Sequence, residues 1–166
     1  MSEHSRSLML LAAGVLFVVF LLFKLLPISG RAVGGASQAR RRIAEAQKRA
    51  RDRSLSTSER AAALRDAAMI ALEELRRPGL AASYARRAER LDPESTESVG
   101  LLSLSLRRAS RHRALERILW RRLAEGVPTS AASQRALHEL MVLYEGPLKR
   151  PEVSEALRRI STLTKA

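Results

Sequence analysis

The sequence predicts an all-α protein with three parts: an N-terminal transmembrane helix, a basic linker helix, and a short stack of about three helical hairpins. Composition supports this, because the 166 residues include 27 Leu and 26 Ala but only three Phe, two Tyr and one Trp. Ala and Leu are strong helix formers, whereas the residues that favour strands are scarce. Apolar positions at helical spacing, separated by Pro and Gly, recur over the second half of the chain.

Arginine dominates the charge of the chain. There are 30 Lys plus Arg, of which 26 are Arg, against 17 Asp plus Glu, and the formal net charge is +13. This balance suits an anionic partner, whether nucleic acid, phospholipid or an acidic protein. An Arg bias is also what a GC-rich genome produces without selection for binding. The absence of Cys excludes disulfides and thiolate metal sites.

Residues 8–26 form the most apolar stretch, with Lys24 as the single charge. In a helix this stretch spans roughly 28 Å, which matches a bilayer core of about 30 Å. We therefore expect a transmembrane helix, and a cleaved signal peptide is the competing interpretation. Basic residues concentrate after the stretch. This predicts that residues 1–7 are an extracytoplasmic tail and that the C-terminal domain is cytoplasmic, at the inner membrane of a bacterium.

Residues 27–55 are expected to be a basic linker. Three glycines in residues 28–37 predict a flexible tether, and residues 38–53 predict a helix with net positive charge and a narrow apolar stripe. The helix is expected either to contact anionic lipid, with nucleic acid as a less favoured ligand, or to be a solvated spacer. The stripe consists of Ala39, Ile43, Ala46 and Ala50. The basic candidates are Arg40, Arg41, Arg42, Lys48, Arg49, Arg51 and Arg53.

Amphipathic helices recur over residues 56–166. Ser56 followed by Glu59 predicts a capping box, in which the side chains bond the first free amides of a helix. Pro151 stands where the first residue of the last helix is expected. The predicted breaks between helices fall at Pro78-Gly79, Asp92-Pro93, Gly126-Val127-Pro128 and Gly146-Pro147.

One predicted helix carries the small residues Ala81, Ala85 and Ala88 on one face and ends before Pro93. With helix pairs recurring about every 34 residues, residues 62–163 resemble tetratricopeptide repeats. The resemblance implies stacked helical hairpins, and an irregular helical bundle is the alternative. The sequence departs from the family pattern where a small residue is replaced by Arg122. It also departs where an aromatic residue is replaced by Arg65, Val99 and Gln134.

By this resemblance, the first helix of each hairpin lines a concave groove that holds a peptide or a partner helix. The implied function is a non-catalytic, membrane-anchored adaptor or scaffold for a protein partner. A structural subunit of a membrane complex is a further alternative. The candidate groove residues are Asp66, Ile70, Glu73, Glu74, Leu104, Arg107, Arg108, Arg135 and Glu139.

The sequence contains no recognisable catalytic motif. It has no glycine-rich phosphate loop, no His-Glu-x-x-His and no nucleophile elbow. Adjacent carboxylates such as those of Glu73 and Glu74 diverge by about 100° around a helix, so they do not converge on one proton. An enzyme is therefore not expected, and no cofactor or metal is predicted. Trp120 is expected either to pack between helices or to anchor a partner.

Overall fold

The computed structural model describes residues 30–163, and helices make up most of this part of the chain. The all-α class and the order of the helices agree with the sequence prediction. The described helices are α1 (Gly30–Arg51), α2 (Thr57–Glu73), α3 (Pro78–Leu91), α4 (Thr96–Arg108), α5 (His112–Glu125), α6 (Ala131–Glu145) and α7 (Pro151–Leu163).

The predicted fold class requires one correction, which concerns the membrane-spanning helix. Among residues 30–163, no helix combines the length and the apolar character that crossing a membrane requires. The longest, α1, has 22 residues, but seven of them are Lys or Arg, which makes it far too polar for a hydrocarbon core. The predicted span, residues 8–26, and the predicted tail, residues 1–7, lie outside the described residues.

Helix starts follow the capping residues in the sequence. Ser56 accepts a hydrogen bond from the backbone N–H of Glu59, whose carboxylate accepts one from the Ser56 backbone, so the predicted capping box is confirmed. Ser95 and Ser130 cap α4 and α6 without a capping box, since each hydroxyl accepts a hydrogen bond from the backbone N–H three residues further on. Proline begins α3 and α7, where its missing N–H costs no helical hydrogen bond.

The helices pack in a repeating order. The pairs α2 with α3, α4 with α5, and α6 with α7 each form an antiparallel hairpin, and the second helix of a hairpin packs against the first helix of the next. The first helices, α2, α4 and α6, also contact one another in sequence. The described chain is therefore a helical-repeat-like array in which each hairpin touches its neighbours.

The three hairpin turns close in the same way. Each contains one residue with a positive φ, namely Arg76 at 52°, Ser110 at 55° and Lys149 at 51°. This left-handed conformation lets the backbone after the helix fold back and bond its last free carbonyls, as when the Arg77 N–H donates to Ala71 O at 2.8 Å. Glycine adopts this conformation at no steric cost, whereas a residue with a Cβ, such as these three, is strained in it.

Small residues explain why the first hairpin is the most tightly packed. Ala67, Ala71, Ala81 and Ala85 are fully buried, and their size lets the axes of α2 and α3 approach closely. In the second hairpin the contact between α4 and α5 is smaller. Arg122 stands there where the resemblance to tetratricopeptide repeats implied a small residue, and its guanidinium donates to Glu94 at 2.8 Å.

The basic helix α1 is part of the array from residue 38 onward. Residues 38–163 lie within one compact unit of the chain. The predicted apolar stripe of α1 is buried, the Gln47 amide donates to the Tyr84 hydroxyl, and Arg60 donates to Ala50 O at 3.0 Å. The stripe therefore packs on protein. The helix begins at Gly30, within the stretch where a flexible tether was expected.

Candidate functional site

Ion pairs join the first helices of the three hairpins. Glu73 of α2 lies 2.8 Å from Arg108 of α4. Glu139 of α6 lies 2.7 Å from Arg107 of α4 and 2.8 Å from Arg135 of its own helix. We call the surface that α2, α4 and α6 share the first-helix face. Five of the nine predicted groove residues thus lie side by side on it, although the sequence separates them widely.

Burial divides these five residues into two groups. The Glu139 side chain is 2% exposed and that of Arg107 is 28% exposed, so this pair chiefly holds α6 against α4. The pair is mainly electrostatic, because the Arg107 nitrogen is poorly aligned for a hydrogen bond to Glu139 Oε2. Glu73, Arg108 and Arg135 are about half exposed and can reach a partner.

The other predicted groove residues differ in accessibility. Asp66 is exposed on α2, whereas Ile70 is buried and Leu104 of α4 is half-buried. Glu74 directly follows α2, and its carboxylate accepts a hydrogen bond from Arg42 of α1. The structure therefore brings one of the predicted groove residues together with one of the predicted lipid-binding residues.

A cleft of about 430 Å³ lies between α1 and α2. Met69, which the sequence prediction did not assign to a site, lines the cleft and is 45% exposed. Its position on α2 follows from helical spacing, but its exposure depends on where α1 packs, which the sequence pattern does not state. The lining residues of this α1–α2 cleft are Arg42, Glu45, Ala46, Arg49, Asp66, Met69, Ile70, Glu73 and Glu74.

All seven predicted basic candidates are exposed. Arg42 and Arg49 line the α1–α2 cleft. Lys48, Arg49 and Arg51 also line a second hollow of about 540 Å³ near the end of α1. Because the apolar stripe of α1 is buried in the array, these basic side chains surround the remaining circumference of the helix.

A hydrogen-bond chain joins α5 to α6. The Trp120 indole N–H donates to the Tyr144 hydroxyl at 2.9 Å, and that hydroxyl donates to the Glu116 carboxylate at 2.6 Å. The hydrogen bond from Tyr144 lowers the pKa of Glu116. Burial, followed by the bond to Glu116, raises the pKa of Tyr144. Trp120 is 41% exposed, so it packs in part and remains accessible in part.

The sequence could not reveal this chain, because Trp120 and Tyr144 are 24 residues apart and belong to different hairpins. In the described part of the chain, no three His, Asp or Glu side chains are grouped so that they could hold a metal ion.

The chain was compared with protein-family models, curated protein sequences and solved structures. No family model, curated protein or solved structure matches it.

Proposed function

We propose that the protein is a non-catalytic adaptor that binds a segment of a partner protein along the first-helix face. The observation that carries this proposal is the ion-paired row of side chains across three helices. Glu73 and Arg108, 35 residues apart, are joined at 2.8 Å, and Arg107 and Glu139 continue the row onto α6. A continuous surface of this length suits an extended peptide or a helix better than a small molecule.

The proposal includes a tetratricopeptide-like arrangement of the hairpins. The packing order supports it, because each hairpin contacts the next through both of its helices. Half-exposed charges of both signs are available for charge-assisted hydrogen bonds with a partner: Glu73 on α2, Arg108 on α4 and Arg135 on α6. Buried Glu139 would hold α6 against α4 while a partner binds.

The test is selection of a displayed random-peptide library on the full-length chain, followed by affinity measurement for the enriched peptides. Arg108→Glu reverses one charge of the face and breaks the pair with Glu73. The double variant Glu73→Arg with Arg108→Glu restores an ion pair within the protein but keeps the surface charges reversed. Arg117, which is exposed on α5, provides the control Arg117→Glu.

Loss of affinity in both the single and the double variant, with Arg117→Glu unchanged, supports recognition at the first-helix face. Restored affinity in the double variant would assign the pair a structural role only. If no peptide is enriched, or if enriched peptides bind all variants equally, the proposed function is wrong. The exposed pair contributes about 0–1 kcal/mol to stability, so the variants are expected to fold.

A second candidate function is binding of anionic lipid through α1. It is supported by the exposure of all seven basic candidates, while the apolar side of α1 is buried. Vesicles with and without phosphatidylserine test this, at about 50 and about 200 mM salt. Lipid binding predicts attachment that requires phosphatidylserine and falls steeply with salt. It also predicts that Arg40→Gln with Arg41→Gln weakens attachment more than Arg117→Gln with Arg121→Gln.

A further inference from the structure

The α1–α2 cleft has an apolar floor that is partly open to solvent. Ala46 of α1 and Ile70 of α2 are buried along it, and Met69 of α2 is 45% exposed within it. The volume of about 430 Å³ lies in the usual range for ligand pockets, roughly 300 to 1,000 Å³. An unbranched, polarisable Met side chain adapts to apolar groups of different shapes. This floor suits one or two apolar side chains.

The walls of the cleft are more acidic than basic, although the whole chain carries a net charge of +13. Four carboxylates and two guanidinium groups line it. Arg42 pairs with Glu74, and Glu73 pairs with Arg108 outside the cleft. The carboxylates without a hydrogen bond or ion pair to the described residues are those of Glu45 and Asp66, which lie on opposite helices.

The geometry points to a specific occupant for the α1–α2 cleft: a short segment of a partner protein with an apolar side chain flanked by Lys or Arg. The apolar side chain contacts Met69 and Ile70, and the flanking cations pair with Glu45 and Asp66. This inference rests on the proposed function, since the occupant belongs to a protein partner. Charge complementarity selects the occupant: apart from the two ion pairs, the lining leaves two carboxylates against the single guanidinium group of Arg49, so an anionic lipid or a nucleic acid would meet a net negative charge.

The inference is tested by fluorescence anisotropy with three labelled peptides and the full-length chain. One peptide has a central Leu flanked by two Lys on each side, the second replaces Lys by Glu, and the third replaces Leu by Ser. We expect the Lys-Leu peptide to bind at least tenfold more tightly than either of the others. The Glu peptide lacks the electrostatic attraction to Glu45 and Asp66, and the Ser peptide lacks the apolar contact with Met69 and Ile70.

Variants then locate the binding site. Glu45→Gln with Asp66→Asn is expected to weaken binding of the Lys-Leu peptide at least tenfold. The matched control is Glu89→Gln with Glu125→Gln, which removes the same charge from α3 and α5 and should change affinity less than twofold. All four residues lie at least partly exposed, so the folds are expected to persist, and circular dichroism checks this.

Met69→Glu provides a second arm, because it removes the apolar contact without removing a cation partner. It should abolish the preference for Leu over Ser. Equal binding of the Lys and Glu peptides, or equal weakening by the two double variants, overturns the inference. So does a dimer of the chain that Met69→Glu dissociates, since the occupant would then be a second copy.

Failure here can be distinguished from failure of the proposed function. Peptides selected on the chain that depend on Arg108 but not on Glu45, Asp66 or Met69 would sustain binding at the first-helix face. They would overturn the inference about the α1–α2 cleft alone.

Discussion

Replacement of the buried carboxylate Glu139 by Gln should destabilise the array without changing the volume of the side chain. The carboxylate is 2% exposed, and its two oxygens lie 2.7 and 2.8 Å from the guanidinium groups of Arg107 and Arg135. Gln retains one acceptor oxygen but turns an amide NH₂ toward the other arginine. The variant therefore loses the buried negative charge and places the amide N–H donors against the N–H donors of an arginine.

The expected loss of stability follows from the exposure of the arginines. Removing one partner of a fully buried ion pair costs about 3 to 5 kcal/mol, because it leaves a buried charge without compensation. Arg107 is 28% exposed and Arg135 is 46% exposed, so water can solvate both after the substitution. This reduces the expected loss to about 2 kcal/mol, within the range for leaving a buried polar group without a partner.

Urea denaturation of the full-length chain, followed by circular dichroism, measures this loss. Glu125→Gln is the control, since this exposed glutamate on α5 should change the free energy of unfolding by less than about 0.5 kcal/mol. A double-mutant cycle with Arg107→Gln should give a coupling energy of about 1 kcal/mol or more. An unchanged unfolding free energy for Glu139→Gln, or a coupling energy near zero, would refute the structural role of the pair.

Three other substitutions test local features of the array by urea denaturation. Ser110→Gly should raise the free energy of unfolding by about 0.5 kcal/mol, because glycine removes the strain of a positive φ but costs more entropy on folding. Gly126→Ala should lower it by about 1 to 3 kcal/mol, because the new Cβ meets the Arg122 carbonyl oxygen at 2.8 Å. The lowered pKa of Glu116 predicts a pH dependence of stability. The ionised Glu116 carboxylate contributes fully to stability above the ordinary pKa of 4.5, and this contribution is lost as the pH falls through the lower pKa of the folded state. Tyr144→Phe removes the main cause of that shift, so the variant should lose less stability than the parent between about pH 6 and about pH 3, and an equal loss would contradict this assignment.

The sequence predicted the helices well because their signals are local. A Ser at the N-cap, a Pro in the first turn and a Gly or Pro after the last turn act within a few residues of the helix end. Ser56 and Pro151 each act at the expected place in the structure. The apolar stripe of α1 was also visible as a pattern, and all four of its members are buried.

Interactions between helices could not be predicted from the same local signals. The stripe of α1 did not reveal its partner, since an apolar face packs equally well on protein or on lipid. Arg107 and Glu139 were assigned to a binding groove through the resemblance to tetratricopeptide repeats, in which the first helix of each unit lines one face. Periodicity does not report whether a charged residue on that face meets a partner or the opposite charge of a neighbouring helix. The distinction depends on the distance between α4 and α6.

The ion pairs of Glu139 on α6 lie beside a glycine of α4. The backbone at Gly100 of α4 lies against the guanidinium group of Arg135, and a Cβ added there would be 3.5 Å from the Arg135 nitrogen. Arg135 in turn pairs with Glu139, which reaches Arg107. An added Cβ would make only an ordinary van der Waals contact there, so the ion pairs of Glu139, and not the glycine, fasten α6 to α4. Variants of Arg107 or Glu139 therefore perturb the fold, whereas Arg108, Glu45 and Asp66 are the residues through which partner binding can be tested.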